Sequence, residues 1–374
     1  MINKREIRRE ILEILNRELQ KLLNEKIRQN DLKNFHFMSA NIAKLIPEID
    51  LKDHWDIYRN LQKIKYLESE VSFFNTFDLD VFFENLASEK FCKKTPSIYI
   101  SYHTGAYRSL MLAFVRFNID VAIIVDTTIY PLERIEGELL KHFQFAKEIF
   151  KDSNSNFKVI SANNKNTVIE LMQIIKNGYS LLTYIDWNSG YNNDKGGNIE
   201  VDFFNSKLSV KQSISYLSYY TKTPIIPCIS YYDEEFEPKW NMLKPILPDN
   251  HTGVKEYAFI ATQLLYSHLE DIIRDNFSQW RGWFHIHKSI VFGESLENKQ
   301  YDFDINGNYN LAEDVGTFTI IGEHFIFNKT SYKLMKLPDP LFNSISTMEL
   351  LNKQVIEASI IKQLYESKML CKTI

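Results

Sequence analysis

The chain reads as an α/β protein whose mostly parallel sheet is flanked by helices, and three observations predict this. Short apolar runs of strand composition alternate with helix-periodic segments from about residue 95 to 290. Three of those runs end in His103, Asp126 and Asp186, as expected where ligands gather at the carboxyl ends of parallel strands. A helical stretch precedes this region, and a β-then-α stretch follows it. The boundaries are read as 1–94 (N-terminal helical region), 95–290 (α/β domain), 291–312 (linker) and 313–374 (small winged-helix-like module).

The elements follow in order. Residues 2–29 form an amphipathic helix, because Ile7, Ile11, Ile14, Leu15, Leu19, Leu22 and Leu23 recur at helical spacing. Its other face mixes Lys/Arg with Glu, which suits a packed surface helix or one lying against a membrane or partner. Further helices run to about residue 90, broken near Pro47 and around 72–76. Strands are expected at 97–103, 119–125, 157–161, 179–185, 199–204 and 224–231, and helices at 106–117, 131–151, 165–177, 209–222 and 254–277. Asn188 to Asn198 is an Asn/Gly-rich loop, and Asp233-Glu-Glu235 with Glu237 reads as a solvated hairpin tip. Residues 318–327 pattern as a β-hairpin, with helices at 339–346 and 352–369.

Composition narrows the function. Of 374 residues, 44% are hydrophobic and 25% charged, an ordinary globular balance, and the net charge of −4 gives no basis for nucleic-acid binding. The 26 Phe and 20 Tyr fit the codon bias of an AT-rich genome as well as they fit a ligand groove. Cys92, Cys228 and Cys371 stand far apart, as free thiols in a reducing cytoplasm would. No run reaches the roughly 18 apolar residues of a membrane span, and the charged N-terminus lacks a signal core, so the expected location is cytoplasmic, with peripheral contact at the inner membrane as an alternative. A Walker loop, a dinucleotide glycine fingerprint and a Gly-x-Ser-x-Gly elbow are all missing, which argues against ATPase, dehydrogenase and α/β-hydrolase chemistry. His285-Ile-His287 has no third ligand nearby in sequence, so no metal site is expected.

The segment Ser101-Tyr-His-Thr-Gly-Ala-Tyr-Arg108 is the most informative. A strand delivers His103, and Gly105 permits a tight turn into a helix whose first amides suit a developing oxyanion. Together with Leu181-Leu-Thr-Tyr-Ile-Asp186, the glycines from 190 to 197, Phe203-Phe204-Asn-Ser-Lys207, Thr223-Pro-Ile-Ile-Pro227 and Gln279-Trp280 through His285, it resembles the lipid A late acyltransferase family of lysophospholipid acyltransferase-like proteins over about residues 95–290.

That resemblance implies a glycerolipid-acyltransferase-like fold and acyl transfer from a carrier-protein or coenzyme A thioester to a hydroxyl, without a further cofactor. It gives His103 the role of general base. The family's orienting carboxylate, five positions on, is Arg108 here. Three readings follow: a substitute carboxylate, with Asp186 first and Asp126 second; an amine acceptor needing less help; or a non-catalytic protein that recruits a carrier protein or precursor peptide. Gly105, Tyr107, Arg108, Lys207 and His285 are the expected substrate contacts, Arg108 through a carboxylate or phosphate suited to its planar fork. The C-terminal stretch is similar to the peptide-recognition domains of pyrroloquinoline-quinone type, which implies natural-product biosynthesis; a capping or dimerisation module is the alternative.

Overall fold

A computed structural model describes residues 4–24, 29–84, 86, 91, 95–186, 197–248, 253–293, 303–304, 307–346 and 357–373. The helices are α1 (Lys4–Asn24), α2 (Gln29–Leu45), α3 (His54–Ser69), α4 (Leu79–Glu84), α5 (Leu110–Arg116), α6 (Leu132–Ile149), α7 (Thr167–Lys176), α8 (Ser213–Thr221), α9 (Val254–Asn276), α10 (Asp339–Ser346) and α11 (Ala358–Glu366). The strands of the α/β region are β1 (Ile98–Ser101), β2 (Val121–Val125), β3 (Phe157–Ser161), β4 (Ser180–Tyr184), β5 (Asn198–Phe203), β6 (Ser206–Lys211), β7 (Ile225–Tyr232) and β8 (Pro238–Met242). Beyond them come β9 (Asn308–Leu311), β10 (Val315–Ile320), β11 (Glu323–Asn328), β12 (Leu334–Leu337) and β13 (Leu370–Thr373). The chain divides into two compact units, one of Met1–Leu19 with Arg59–Val291 and the other of Gln20–Tyr58 with Phe292–Ile374.

In the first unit a six-stranded sheet runs in the order β3-β2-β4-β1-β7-β8. All its neighbouring strands pair in parallel except β7 and β8, which form a hairpin. The α/β reading with a mostly parallel sheet therefore holds. β1 is buried at every position because it lies between two strands and beneath helices, which explains its mostly apolar run. α5, Tyr99 and the phenylalanines at 73, 74, 77, 82 and 114 pack into one core, so much of the phenylalanine content is structural.

Two expectations fail locally. Residues 209–211, read as the start of a helix, belong to β6, which forms an antiparallel ribbon with β5 separate from the main sheet. Leu208 and Val210 are buried and their neighbours are not, so a period of two governs until Ser213. The acidic turn after β7 is also not wholly solvated. Asp233 accepts from the Glu235 and Glu237 amides, but Glu237 is buried, ion-paired with Arg8 and hydrogen-bonded to the Asp78 amide. Arg8 is itself buried, although the sequence places it on the polar side of α1.

In the second unit β10, β11 and β12 form an antiparallel sheet, and β9 pairs with β13. The hairpin at 318–327 lies within β10 and β11, and its turn uses positive φ at Ile321 and Gly322. β9 lies within residues read as linker, and Gln20–Tyr58, grouped by sequence with the N-terminal region, clusters with the C-terminal residues. Cys228 is buried and Cys371 exposed, both as free thiols, whereas Cys92 and the loop at 188–196 lie outside the described residues. Among the described residues, no helix is long and apolar enough to cross a membrane.

Candidate active site

Strand register explains the centre of the site. β1 and β4 are parallel neighbours with Ser101 opposite Tyr184. His103 and Asp186 each follow that pair by two residues, so the sheet sets them side by side. The His103 Nδ1 lies 2.9 Å from Asp186 Oδ1. Asp186 Oδ2 accepts from the His103 amide at 2.8 Å and from the Trp280 indole N–H at 2.7 Å. The carboxylate side chain is fully buried, while the imidazole keeps 15% of its surface exposed. Burial alone pushes the Asp186 carboxyl up, yet the His103 charge and these hydrogen bonds hold it below the usual carboxylate range. The arrangement fixes the ring proton on Nδ1 and puts the basic lone pair on Nε2.

The His103 loop is fastened on both sides. The His103 carbonyl accepts from the Arg281 amide at 2.9 Å, and the Thr104 carbonyl from Ser230 Oγ at 2.6 Å. Gly105 has φ +44° and lies against the Tyr231 backbone. Gly282 allows the Trp280 ring its place, since a Cβ there would come within 2.2 Å of it. The Trp280 ring in turn packs against Phe203 and Trp283.

Tyr107 and Tyr184 flank the imidazole, with ring centroids 5.0 and 4.8 Å away. Tyr107 Oη accepts from Arg281 Nη1 at 2.7 Å. Arg108 does not cover the imidazole. It lies beside the Tyr107 ring, and its Nη1 donates to the Glu68 carbonyl at 3.1 Å. Its amide donates to Glu68 Oε2 at 3.0 Å, and the Ser109 amide donates to the Ala106 carbonyl. The Arg108 and Ser109 amides are thus committed within the protein, and the helix, expected to start at 106 with its first amides at an oxyanion, starts only at Leu110 after a 3-10 turn. His285 is pushed down to about 3 by burial and by the charges of Lys288, His287, Arg281 and His103, which places it in the same electropositive neighbourhood.

Two of the expected site residues lie elsewhere. Asp126, ending β2 on the far side of β4 from β1, accepts from the Thr128 amide at 2.8 Å. Lys207 is exposed on the β5–β6 ribbon, where it pairs with Asp202 at 3.0 Å. Asp126, Tyr184 and Asp186 border a cavity of about 210 Å³, which shares Ile124 and Ile214 with a second of about 360 Å³ lined also by Val168, Leu171 and Leu217.

Sequence reasoning missed Glu68, although a signal exists. It continues the Ile57, Leu61, Ile64 spacing of α3, so a carboxylate occupies the buried face of that helix. Its Oε1 accepts from the Tyr232 hydroxyl. Trp280 was recognised as part of a cluster, but the role of its N–H becomes visible only in three dimensions.

Residues 146–288 match the bacterial lipid A biosynthesis acyltransferase family, a span that includes Asp186, Trp280 and His285 but begins after His103. Among solved structures, the 1-acyl-sn-glycerophosphate acyltransferase of Thermotoga maritima is similar at 14% identity and a TM-score of 0.32, over 66% of this chain and 97% of that one. No curated protein matches the chain.

Proposed function

We propose that this lipid-acyltransferase-like protein moves an acyl group from a carrier-protein or coenzyme A thioester to a hydroxyl or amine. The observation that carries the reading is the buried, triply hydrogen-bonded Asp186 behind His103. A carboxylate so placed does for the imidazole what the missing acid at position 108 would do.

In the proposed step, His103 Nε2 takes the acceptor's proton as the acceptor oxygen or nitrogen attacks the thioester carbonyl. The new C–O or C–N bond forms, the C–S bond breaks, and the imidazolium returns the proton to the thiolate. Asp186 stabilises the imidazolium during that interval. Tyr107, Arg108 and Arg281 favour an acceptor or donor carrying a carboxylate or phosphate, for which a guanidinium fork is suited. The apolar side of the larger cavity, with Val168, Leu171 and Leu217, suits an acyl chain. The carrier protein, a precursor peptide held by the C-terminal module and peripheral membrane contact through α1 belong to this proposal as partners.

The experiment supplies acyl-carrier-protein and acyl-coenzyme A thioesters of graded length with hydroxyl and amine acceptors and follows thiol release. His103→Ala is expected to lower kcat by about 10³-fold or more, as loss of a general base that also orients its acceptor does. Unchanged turnover in that variant would remove His103 from the mechanism.

A further inference from the structure

We infer that Glu68 is a positioning residue of this site: it holds the Tyr107–Ser109 turn through the Arg108 amide, so that its ionisation sets how Tyr107 lies against His103. The geometry commits each of its oxygens. Oε2 takes the Arg108 amide, Oε1 takes the Tyr232 hydroxyl, and the backbone carbonyl takes Arg108 Nη1. His142 Nε2, from α6, lies 3.2 Å from that same carbonyl. Charged and titratable groups therefore face Glu68 from each neighbouring element: Arg108 from the turn, Arg281 from the 281–284 turn, Tyr232 from β7, Tyr184 from β4 and His142 from α6.

The substitution of arginine at position 108 makes sense in this setting. Arg108 brings a positive charge beside the proposed base, which disfavours the imidazolium. Ionised Glu68 opposes that charge and makes a charge-assisted bond to the Arg108 amide. A protonated Glu68 loses both. Burial pushes its carboxyl up to about 7, against the downward pull of the Tyr232 hydroxyl and the Arg108 amide and charge, so the change falls near neutrality. The folded value lies above the unfolded one of 4.5. The stability tied to the protonated form is therefore complete below that value and is lost as pH rises through about 7.

This inference depends on the proposed reaction only for its catalytic consequence, so the test reads His103 directly. The imidazole Cε1–H signal, assigned by its loss in His103→Gln, is followed by NMR from about pH 5.5 to 8.5 in protein with ¹³C-labelled histidine. The Tyr107 ring next to it makes that signal sensitive to the turn. The expected wild-type curve has a step near pH 7 that follows the ionisation of Glu68. Glu68→Gln should abolish that step. Tyr232→Phe removes a hydrogen bond favouring the ionised form and should move the step up by about one pH unit. If Glu68→Gln does not fold, the Tyr232→Phe shift decides. A step that persists in Glu68→Gln, or one that stays in place in Tyr232→Phe, overturns the inference, as does a wild-type curve without it. A merely structural Glu68 would leave all these His103 curves alike.

Discussion

Asp186→Asn is expected to cut kcat for acyl transfer by about 10⁴-fold, the size of effect seen when a triad carboxylate is replaced by its amide. The reason lies in the donors around the side chain. Its Oδ1 faces His103 Nδ1, and its Oδ2 faces two N–H groups, the His103 amide and the Trp280 indole. Asparagine has one oxygen, and the arrangement with fewer clashes turns it toward the two fixed donors. The amide nitrogen then faces Nδ1 and donates to it. The imidazole responds by carrying its proton on Nε2, where the lone pair was needed. Measured turnover should collapse while the folded structure persists, with a stability loss of about 1–3 kcal/mol for the disturbed buried hydrogen bonds. The depressed Asp186 pKa adds a pH signature. Its stabilising contribution is present above the unfolded value of 3.8 and fades as pH falls through the folded one. Asp186→Asn should therefore flatten the acid end of the stability curve. Turnover within tenfold of wild type would show that the carboxylate does not orient the base. Trp280→Phe, which removes only one donor to Oδ2, should cost far less in rate.

The sheet and its strand-end residues were legible because period and burial are local in sequence. A mostly apolar run such as 97–102 signals a strand covered on both faces, and a polar residue at its end marks the site edge. The choice of Asp186 over Asp126 follows from strand order, since β4 rather than β2 lies next to β1. Strand order is a long-range property, and alternating elements do not encode it. The β6 ribbon shows the same limit on a smaller scale. Its alternation spans only 206–211 and runs straight into helix α8. Glu68 was hidden for a different reason. It sits 35 residues before His103 in the chain, and nothing local couples an α3 glutamate to the turn at Arg108. The surrounding apolar spacing marks Glu68 as buried, but burial alone names no partner.

Gly105→Ala is expected to destabilise the protein by about 2–4 kcal/mol and to weaken turnover further through displacement of His103. A Cβ at this position would lie 2.4 Å from Tyr231 Cα and within 2.9 Å of the Tyr231 nitrogen, all of them backbone atoms of β7. No rotamer change relieves such a contact. Either the 103–107 loop lifts away from β7 or the strand bends, and both outcomes strain the bonds that tie this loop to Ser230 and Arg281. The φ of +44° adds a further cost of about 1 kcal/mol for a residue with a side chain. Together with overpacking of about 1–3 kcal/mol, that places the variant among the more damaging single substitutions. The thermal midpoint should fall by about 4–16 °C for a unit of this size. A base displaced by about 1 Å also loses on the order of 10² in rate, so turnover should drop even well below the new midpoint. Gly137→Ala supplies the contrast, because that glycine sits inside α6 with open space where its Cβ would go. There alanine should stabilise by about 0.5–1 kcal/mol. If both variants melt alike, the close approach of Gly105 to β7 is not what fixes His103 at the sheet edge.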